Sequence, residues 1–560
     1  MKNDRRTIER AGGFVLAVVA AALLVACGKS ADAPQAASPA AVMPASAPVQ
    51  TASAHADGGI DWKEASNDAQ IDAAFASAKE ANKPVFVYWG AKWCPPCNQV
   101  KATLFNRQDF IERSRGFVPV YVDGDSPGAQ KIGARFKVSG YPTMVLFTPQ
   151  GQELTRLPGE VDPVRYTQVL TLGMNAARPV GAVLADALAK PAALDANDWR
   201  LLAFYSWGTD QQQVIDKKKL PATLLALADA CPADAPETAM RLRLKALAAA
   251  DAKAPPTLDA TTRSALVALL GDPARSREQT DMLTNYAAEI VRAASTPSSP
   301  ERTALLGGFD TALKRLEADA TLSRADRMQA LIAQVDLARI DDADVPAAKP
   351  GVKPAPHAPL PAALVADVRE QAARADREIT DGYERQAVIT AAAYLLERAG
   401  LDADSDTLLK ANLAKSHSPY YLMSELASNA KKRGDRKEAL RWYREAFEKS
   451  EGPATRLQWG SSYIAALVDL APADEATIES AAAQLWSEAE KQPDAFYQRS
   501  GRSLEKVGTK LQAWNKGGAH AAAMKRLQTK LAPLCAAPAR SSSERATCDA
   551  LLTAPAKPSA

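Results

Sequence analysis

The sequence predicts an α/β sandwich followed by a mostly α-helical, repeat-like region. Between residues 60 and 178, helical spacings of apolar residues alternate with short runs of β-branched and aromatic residues. From 180 to the end of the 560-residue chain, long helical periodicities run through an alanine-rich sequence with almost no strand signal. The chain is long enough for two or three domains. A net charge of +3 without a concentrated basic stripe gives no argument for nucleic-acid binding.

Residues 1–27 predict an export signal, with a positively charged start and an apolar segment too short to span a bilayer as a helix. The signal ends in Leu-Val-Ala-Cys, which resembles a bacterial lipobox, and this resemblance implies that Cys27 is lipidated. The alternative is a secretory signal cut at nearby small residues. Gly28 is not the aspartate that retains such lipoproteins at the inner membrane, so the outer membrane stays open as a destination. Residues 28–59, mostly Ala, Pro and Ser, predict a disordered tether that reaches about 100 Å when extended.

Inside the α/β domain the pattern predicts helices and strands in alternation. Residues 85–89 are a buried strand, and an X-Pro turn precedes an apolar strand at 144–147. Asp162 and Pro163 are suited to begin the last helix. The other predicted elements are a helix around 71–78, helices at 108–115, 127–136 and 162–176, a strand at 117–122 and a hairpin at 150–151.

Two cysteines, Cys94 and Cys97, follow the first strand and open an amphipathic helix. The free N–H groups and the dipole at a helix N-terminus favour a thiolate over a thiol. The two-residue gap lets the second thiol attack a mixed disulfide formed by the first. Half of a zinc site is the alternative, but a structural zinc needs four ligands. The next cysteine is Cys231, and no histidine lies between Cys97 and Val180, so no metal site is expected.

The segment 139–143 places Pro142 in a turn before a strand. Its X-Pro bond is either a cis peptide that holds the backbone of Tyr141 beside the dithiol, or an ordinary turn. The Trp-Cys-Pro-Pro-Cys motif at 93–97, this loop and the hairpin together resemble the thioredoxin family over about residues 60–178. Within that family they look most like the reductant domain of Dsb-type disulfide interchange proteins.

The resemblance implies a central mixed sheet flanked by helices and a role for each motif residue. Cys94 is expected to be the exposed nucleophile and Cys97 the buried resolving thiol. Trp93 is expected to shield the pair. Pro142 is expected to be the cis-proline opposite it, with the backbone of Tyr141 pairing with bound substrate. No bound cofactor is implied.

Two features bear on the chemistry of the pair. Many thioredoxins have a buried carboxylate six residues before the first cysteine, where this chain has Tyr88. A tyrosine with a pKa of about 10 is a poor base at neutral pH, so deprotonation of Cys97 must use water, another acid or a substrate group. Pro95 and Pro96 lack N–H groups, which removes the first backbone donors to a Cys94 thiolate. We therefore predict a modestly lowered pKa for Cys94, as in a reductant.

The helical region divides at a stretch with six prolines, which predicts an extended linker. The predicted parts are helices at 180–345, the linker at 346–361, helices at 362–533 and a tail at 534–560. Apolar residues at 282–291 make one predicted helical face. A weak 34-residue period, best at 420–453, resembles a tetratricopeptide repeat. Two copies fall short of a stable stack, so neighbouring helices must complete it. The alternative is a helical array without a peptide groove, and either form suits partner binding.

Three further cysteines remain after the dithiol and Cys27 are assigned. Cys535 and Cys548 in the tail are suited to a structural disulfide in an oxidising compartment. Cys231 is then left over, as a buried thiol or as a reactive or intermolecular one.

Together these patterns predict an envelope thiol–disulfide oxidoreductase that reduces protein disulfides through Cys94 and Cys97. The expected partners are protein substrates with disulfides, an upstream dithiol donor such as a membrane disulfide reductase, and the membrane that holds the lipid on Cys27, with the chain facing the periplasm. The alternative is an interaction scaffold in which the α/β domain is a docking module. Oxidase or isomerase action also stays open, because direction depends on the potential of the pair in its compartment.

Overall fold

The computed structural model describes residues 59–553 with several gaps. The gaps fall at 92–93, 95–96, 98–99, 106, 158, 160–161, 252–253, 257, 342–357, 381 and 539. Several predicted features therefore lie outside the described residues: the predicted export signal with Cys27, nearly all of the predicted tether, Trp93, Pro95 with Pro96, and most of the predicted linker. Within the described part, no helix has both the length and the apolar character needed to cross a membrane.

Five strands form one mixed sheet, which confirms the predicted fold class of this domain. They are β1 Lys63–Glu64, β2 Val85–Gly90, β3 Val118–Asp123, β4 Thr143–Phe147 and β5 Glu153–Leu157. Their order across the sheet is β1-β3-β2-β4-β5. β3 runs parallel to β1 and β2, whereas β4 runs antiparallel to β2 and β5. Every residue of β2 is buried, as its run of β-branched and aromatic residues predicts for the central strand.

Four helices pack around the sheet: α1 Asp68–Ala81, α2 Gln108–Ser114, α3 Ala129–Arg135 and α4 Pro163–Met174. The carboxamide of Asn67 accepts the N–H of Gln70 and begins α1, and Asp162 begins α4 in the same way. The residues that α1 buries are those whose spacing predicted it: Ile71, Ala74, Phe75 and Ala78. After the dithiol, the chain forms a π-helical turn at Lys101–Phe105.

The helical region follows without a strand in its described part. Up to residue 341 its helices are α5 Val180–Ala189, α6 Ala196–Phe204, α7 Leu220–Ala230, α8 Pro236–Ala248, α9 Ala260–Gly271, α10 Pro273–Glu278, α11 Thr280–Asn285, α12 Ala287–Ala294, α13 Pro300–Ala318 and α14 Arg324–Ala338. From residue 358 they are α15 Ala362–Glu378, α16 Gly382–Arg398, α17 Asp402–Asn412, α18 Pro419–Arg433, α19 Arg436–Lys449, α20 Pro453–Leu470, α21 Glu475–Glu490, α22 Gln498–Trp514, α23 Ala521–Ala536 and α24 Ser542–Ala550.

The apolar face predicted at 282–291 is not one continuous helix. Tyr286, with φ −130° and ψ 18°, ends α11 and precedes α12. The apolar residues on either side of it are buried all the same: Met282, Leu283, Ala287, Ile290 and Val291. The spacing therefore predicted burial correctly, but it did not show the break.

The best predicted repeat copy, at 420–453, folds as the helical hairpin α18–α19. Gly434 turns the chain between the two helices with φ +82°, a conformation that suits glycine. The residues that defined the copy and are buried in the hairpin are Tyr420, Ala427, Ala439 and Ala446.

The core of the α/β domain continues into the first helices of the helical region. One apolar cluster holds both Cys94 and Cys97 and extends through α5, α6 and α7 to Ala246 in α8. Arg156 of β5 is fully buried and fastens this junction. Its guanidinium donates to the carbonyls of Phe136 and Thr209, each at 2.9 Å, and pairs with Glu153 at 3.0 Å. A buried guanidinium needs this many partners, because a charge left unpaired in the interior is costly.

Candidate redox site

The dithiol lies at the edge of the sheet where β2 ends. Trp89 of β2 pairs in register with Thr143 of β4, so the end of β2 and the start of β4 lie side by side. Cys94 follows β2 closely in the sequence, and Pro142 immediately precedes Thr143. The peptide bond between Tyr141 and Pro142 is cis. The fold thus brings the cysteine pair and the loop at residues 139–143, called the proline loop below, to the same edge.

Cys94 and Cys97 form a disulfide, with Cα atoms 5.2 Å apart. The backbone N–H of Cys97 donates to Sγ of Cys94 at 3.3 Å. Cys97 is fully buried, but the prediction that Cys94 is exposed is wrong for this oxidised state, because its side chain is only 2% exposed. The bond to Cys97 holds the sulfur within the apolar cluster that also contains Tyr88 and Phe105.

Tyr88 fills the position where many thioredoxins have a carboxylate. Its hydroxyl donates to the carbonyl of Cys97 at 3.3 Å, and its ring stacks on Tyr121 with centroids 5.3 Å apart. Burial, with the nearby Asp123 carboxylate, raises the pKa of Tyr88 above its ordinary value. Tyr88 therefore stays protonated at neutral pH and is a hydrogen-bond donor rather than a base.

Asp123 is a carboxylate near the dithiol that the sequence motifs did not identify as part of the site. It ends β3 and pairs in register with Gly90 at the end of β2. Its charge contributes to the raised pKa of both Tyr88 and Tyr121. A carboxylate at the end of the strand next to β2 was a readable signal, because parallel strands end at one edge of a sheet.

The proline loop is held by side chains from two separate parts of the chain. Gln130 of α3 donates from Nε2 to the Tyr141 hydroxyl at 2.6 Å. The guanidinium of Arg499, in α22, lies 5.1 Å from the centroid of the Tyr141 ring. On the domain side, the ring of Trp89 lies 6.1 Å from that of Tyr141.

The other cysteines lie away from this edge in the helical region. Cys535 and Cys548 form a disulfide between α23 and α24, with Cα atoms 5.4 Å apart. Cys231 is half-buried, and among the cysteines that the structure describes it has no disulfide partner. Burial raises the pKa of its thiol, so Cys231 is a weaker nucleophile than an ordinary cysteine at neutral pH.

Comparison with known proteins decides the family. A family model described as a thioredoxin-like domain matches residues 71–173. A thioredoxin H-type of Oryza sativa subsp. indica is 31% identical over 112 residues, which cover 20% of this chain and 87% of that protein. The chain belongs to the thioredoxin-like family. Residues 71–173 run from α1 to α4, so the match includes the dithiol and the proline loop of the thioredoxin-like domain.

Two further comparisons also match only a part of this chain. The thiol:disulfide interchange protein DsbD 1 of Pseudomonas aeruginosa is 29% identical over 110 residues, 18% of this chain and 18% of that protein. This chain therefore spans less than a fifth of that relative's length. A solved structure of a DsbH oxidoreductase is 18% identical with a TM-score of 0.18 and covers 23% of this chain and 94% of that one.

The helical region also touches the thioredoxin-like domain directly at the loops around the site. Arg502 of α22 donates to the carbonyl of Ser139 at 2.6 Å. Asp494, just before α22, accepts the N–H of Gln130 at 2.6 Å. No local pattern could have indicated these contacts, since each joins residues more than 360 positions apart.

Proposed function

We propose that this chain is an envelope thiol–disulfide oxidoreductase that reduces protein disulfides. The observation that carries the proposal is the Cys94–Cys97 disulfide at the sheet edge that also carries Pro142, in a thioredoxin-like domain. The pair follows the end of β2, and two thiols three positions apart are able to exchange with a disulfide that reaches them.

In the proposed reaction, the Cys94 thiolate attacks one sulfur of a substrate disulfide. The substrate S–S bond breaks, its other sulfur leaves as a thiolate, and a mixed disulfide forms with Cys94. The Cys97 thiolate then attacks Sγ of Cys94, which breaks the mixed disulfide and releases the second substrate thiolate. Both substrate thiolates take up protons, and two electrons have passed from the pair to the substrate. A donor dithiol must return two electrons before the next cycle.

The surroundings of Cys94 favour a reductant over a strong oxidant. Sγ of Cys94 accepts the N–H of Cys97 at 3.3 Å, a contact that stabilises a thiolate. Pro95 and Pro96 provide no N–H group. Because these two prolines withhold backbone donors, we predict that the pKa of Cys94 falls only modestly, and strong oxidants are those whose thiolate is stabilised most.

The proposed setting is the cell envelope, with the chain facing the periplasm. Lipidation of Cys27 and the tether at 28–59 would let the protein stand off the membrane, and support for this comes from the lipobox-like sequence. The proposed partners are protein substrates with disulfides and an upstream dithiol donor, such as a membrane disulfide reductase. The helical region is proposed to bind or position these partners.

Trapping of a mixed disulfide tests the proposal. In the full chain, Cys97→Ser should accumulate a mixed disulfide with a protein substrate through Cys94, because the resolving thiol is missing. Cys94→Ser should form none, and Cys535→Ser with Cys548→Ser should behave as the wild type. Products are separated on non-reducing gels and assigned by mass spectrometry. Equal behaviour of all variants would reject the reaction and favour the scaffold function.

A further inference from the structure

Three helices of the helical region converge on the proline loop. Arg499 of α22 is the common member, and its guanidinium hydrogen-bonds the hydroxyls of both Tyr421 and Tyr141. It also donates through Nε to Oε1 of Gln458. Tyr421 belongs to α18 and Gln458 to α20, so alternate helices of the array each place one side chain around the Arg499 guanidinium.

Gln130 connects this group to the interior of the thioredoxin-like domain. Its side chain is 2% exposed and makes three hydrogen bonds. Nε2 donates to the Tyr141 hydroxyl and to the Gly124 carbonyl, each at 2.6 Å, and Oε1 accepts the backbone N–H of Arg499 at 3.1 Å. Both N–H donors of the amide and its oxygen are thus engaged, and its position fixes both Tyr141 and the start of α22.

The two parts of the chain also cap each other's helices. α3 and α20 begin at Gly128 and Gly452, and neither of these residues supplies a side-chain cap. Asp494 of the helical region accepts the N–H of Gln130 at the start of α3. Asp125 of the thioredoxin-like domain accepts the N–H of Ala454 at the start of α20, at 2.8 Å. These reciprocal caps fix the helical region against the loop between β3 and α3, and Gln130 joins this loop to Tyr141.

We propose that Arg499 is a positioning residue for disulfide exchange, which holds the Tyr141–Pro142 loop in the form that pairs with a protein substrate. This inference rests on the proposed function. An arginine suits the task because its planar fork bonds several acceptors at fixed angles. Arg502, one turn further along α22, adds a second contact to the same loop at Ser139. Helix α22 of the same chain thus contributes Arg499 and Arg502 to the surroundings of the proline loop.

The test compares steady-state kinetics of full-length variants. Arg499→Gln should raise KM for a disulfide-bonded protein substrate about tenfold, the factor given by about 1.4 kcal/mol. The value of kcat, the reduction potential of the pair and KM for a small aromatic disulfide should stay unchanged. Tyr421→Phe removes one hydrogen bond to Arg499 and should shift KM in the same direction by less. Arg526→Gln is the matched control, because Arg526 is exposed and its ion-pair partners in the described part of the chain are Glu479 and Glu475, away from the proline loop.

Each result separates this inference from the proposed function. If wild-type protein reduces no protein disulfide, the proposed function is wrong. If wild type is active and Arg499→Gln matches Arg526→Gln in KM, Arg499 does not position the loop. Should Arg499→Gln fail to fold, an unchanged KM in Tyr421→Phe overturns the inference. Equal loss with the protein and the small disulfide would also overturn it, because that pattern indicates general damage.

Discussion

At the residue scale, the chemistry depends on side chains whose roles are set by burial. Tyr88 is the clearest case, because it lies next to the dithiol at the position where many thioredoxins have a carboxylate. Burial and Asp123 keep its hydroxyl protonated. The hydroxyl donates a hydrogen bond to the backbone carbonyl of Cys97. Tyr88 therefore does not act as the base that deprotonates the Cys97 thiol.

We expect Tyr88→Phe to change kcat/KM for disulfide reduction by less than about threefold. The substitution keeps the ring that packs on Tyr121 and removes only the hydroxyl. Steady-state rates between pH 6 and 9 are the measurement. A fall of 100-fold or more would contradict this role, since losses of about that size accompany removal of a general acid or base. Tyr166→Phe, a substitution of another buried tyrosine, is the control for packing.

At the element scale, the helices that matter for the site are begun by residues from outside the local sequence. α1 and α4 carry their own caps in Asn67 and Asp162, and Asp162 with Pro163 predicted where α4 starts. α3 and α20 begin after glycines and depend on Asp494 and Asp125. Removing a helix cap generally lowers the free energy of unfolding by about 1 kcal/mol. Here each cap also joins the two parts of the chain, so its removal weakens the interface as well.

Asp125 gives this interface a pH dependence. Burial raises its pKa to about 7, although the charge of Arg499 opposes the shift. A carboxyl with a raised folded pKa stabilises the fold below its unfolded pKa, and this contribution is lost as pH rises towards 7. We therefore compare the free energy of unfolding of the wild type with that of Asp125→Asn. The wild-type value minus the variant value should decrease as the pH rises from 4 to 7. Asparagine keeps the acceptor for Ala454, so the comparison isolates the titration.

Urea unfolding at a series of pH values measures this difference. Asp259→Asn is the control with the opposite sign, because hydrogen bonds from Thr262 lower the pKa of Asp259. Its contribution is present above the unfolded pKa and is lost as pH falls. A difference for Asp125→Asn that stays flat from pH 4 to 7 would show that Asp125 is not perturbed by the docked helical region.

At the scale of the whole molecule, the thioredoxin-like domain and the helical region form one packed unit. Their shared apolar cluster runs from the dithiol into α8, and polar contacts join the proline loop to α22. The sequence predicted the sheet, the dithiol, the proline loop and the α-helical class, because strand runs, cysteine spacing and helical periodicity are local signals. It did not predict the contacts of Gln130, Asp494 and Arg499, because they join residues hundreds of positions apart.

The burial of Cys94 was missed for a related reason. Its motif is local, but its exposure depends on the disulfide and on the cluster around Tyr88 and Phe105. Likewise the break at Tyr286 leaves the apolar spacing intact, so periodicity alone could not reveal it. Sequence patterns identified the candidate redox residues, and tertiary packing determines their exposure and their contacts.

The reduction potential of the Cys94–Cys97 pair in the full chain tests the proposed direction most directly. The pair is equilibrated in glutathione or dithiothreitol buffers, and its oxidised fraction is measured by thiol labelling. Cys535→Ser and Cys548→Ser in the same chain remove the second disulfide from the signal. We expect a value near that of thioredoxin, about −270 mV, which suits a reductase with an electron supply. A value near about −120 mV would show that the pair donates disulfides and would contradict the proposed function.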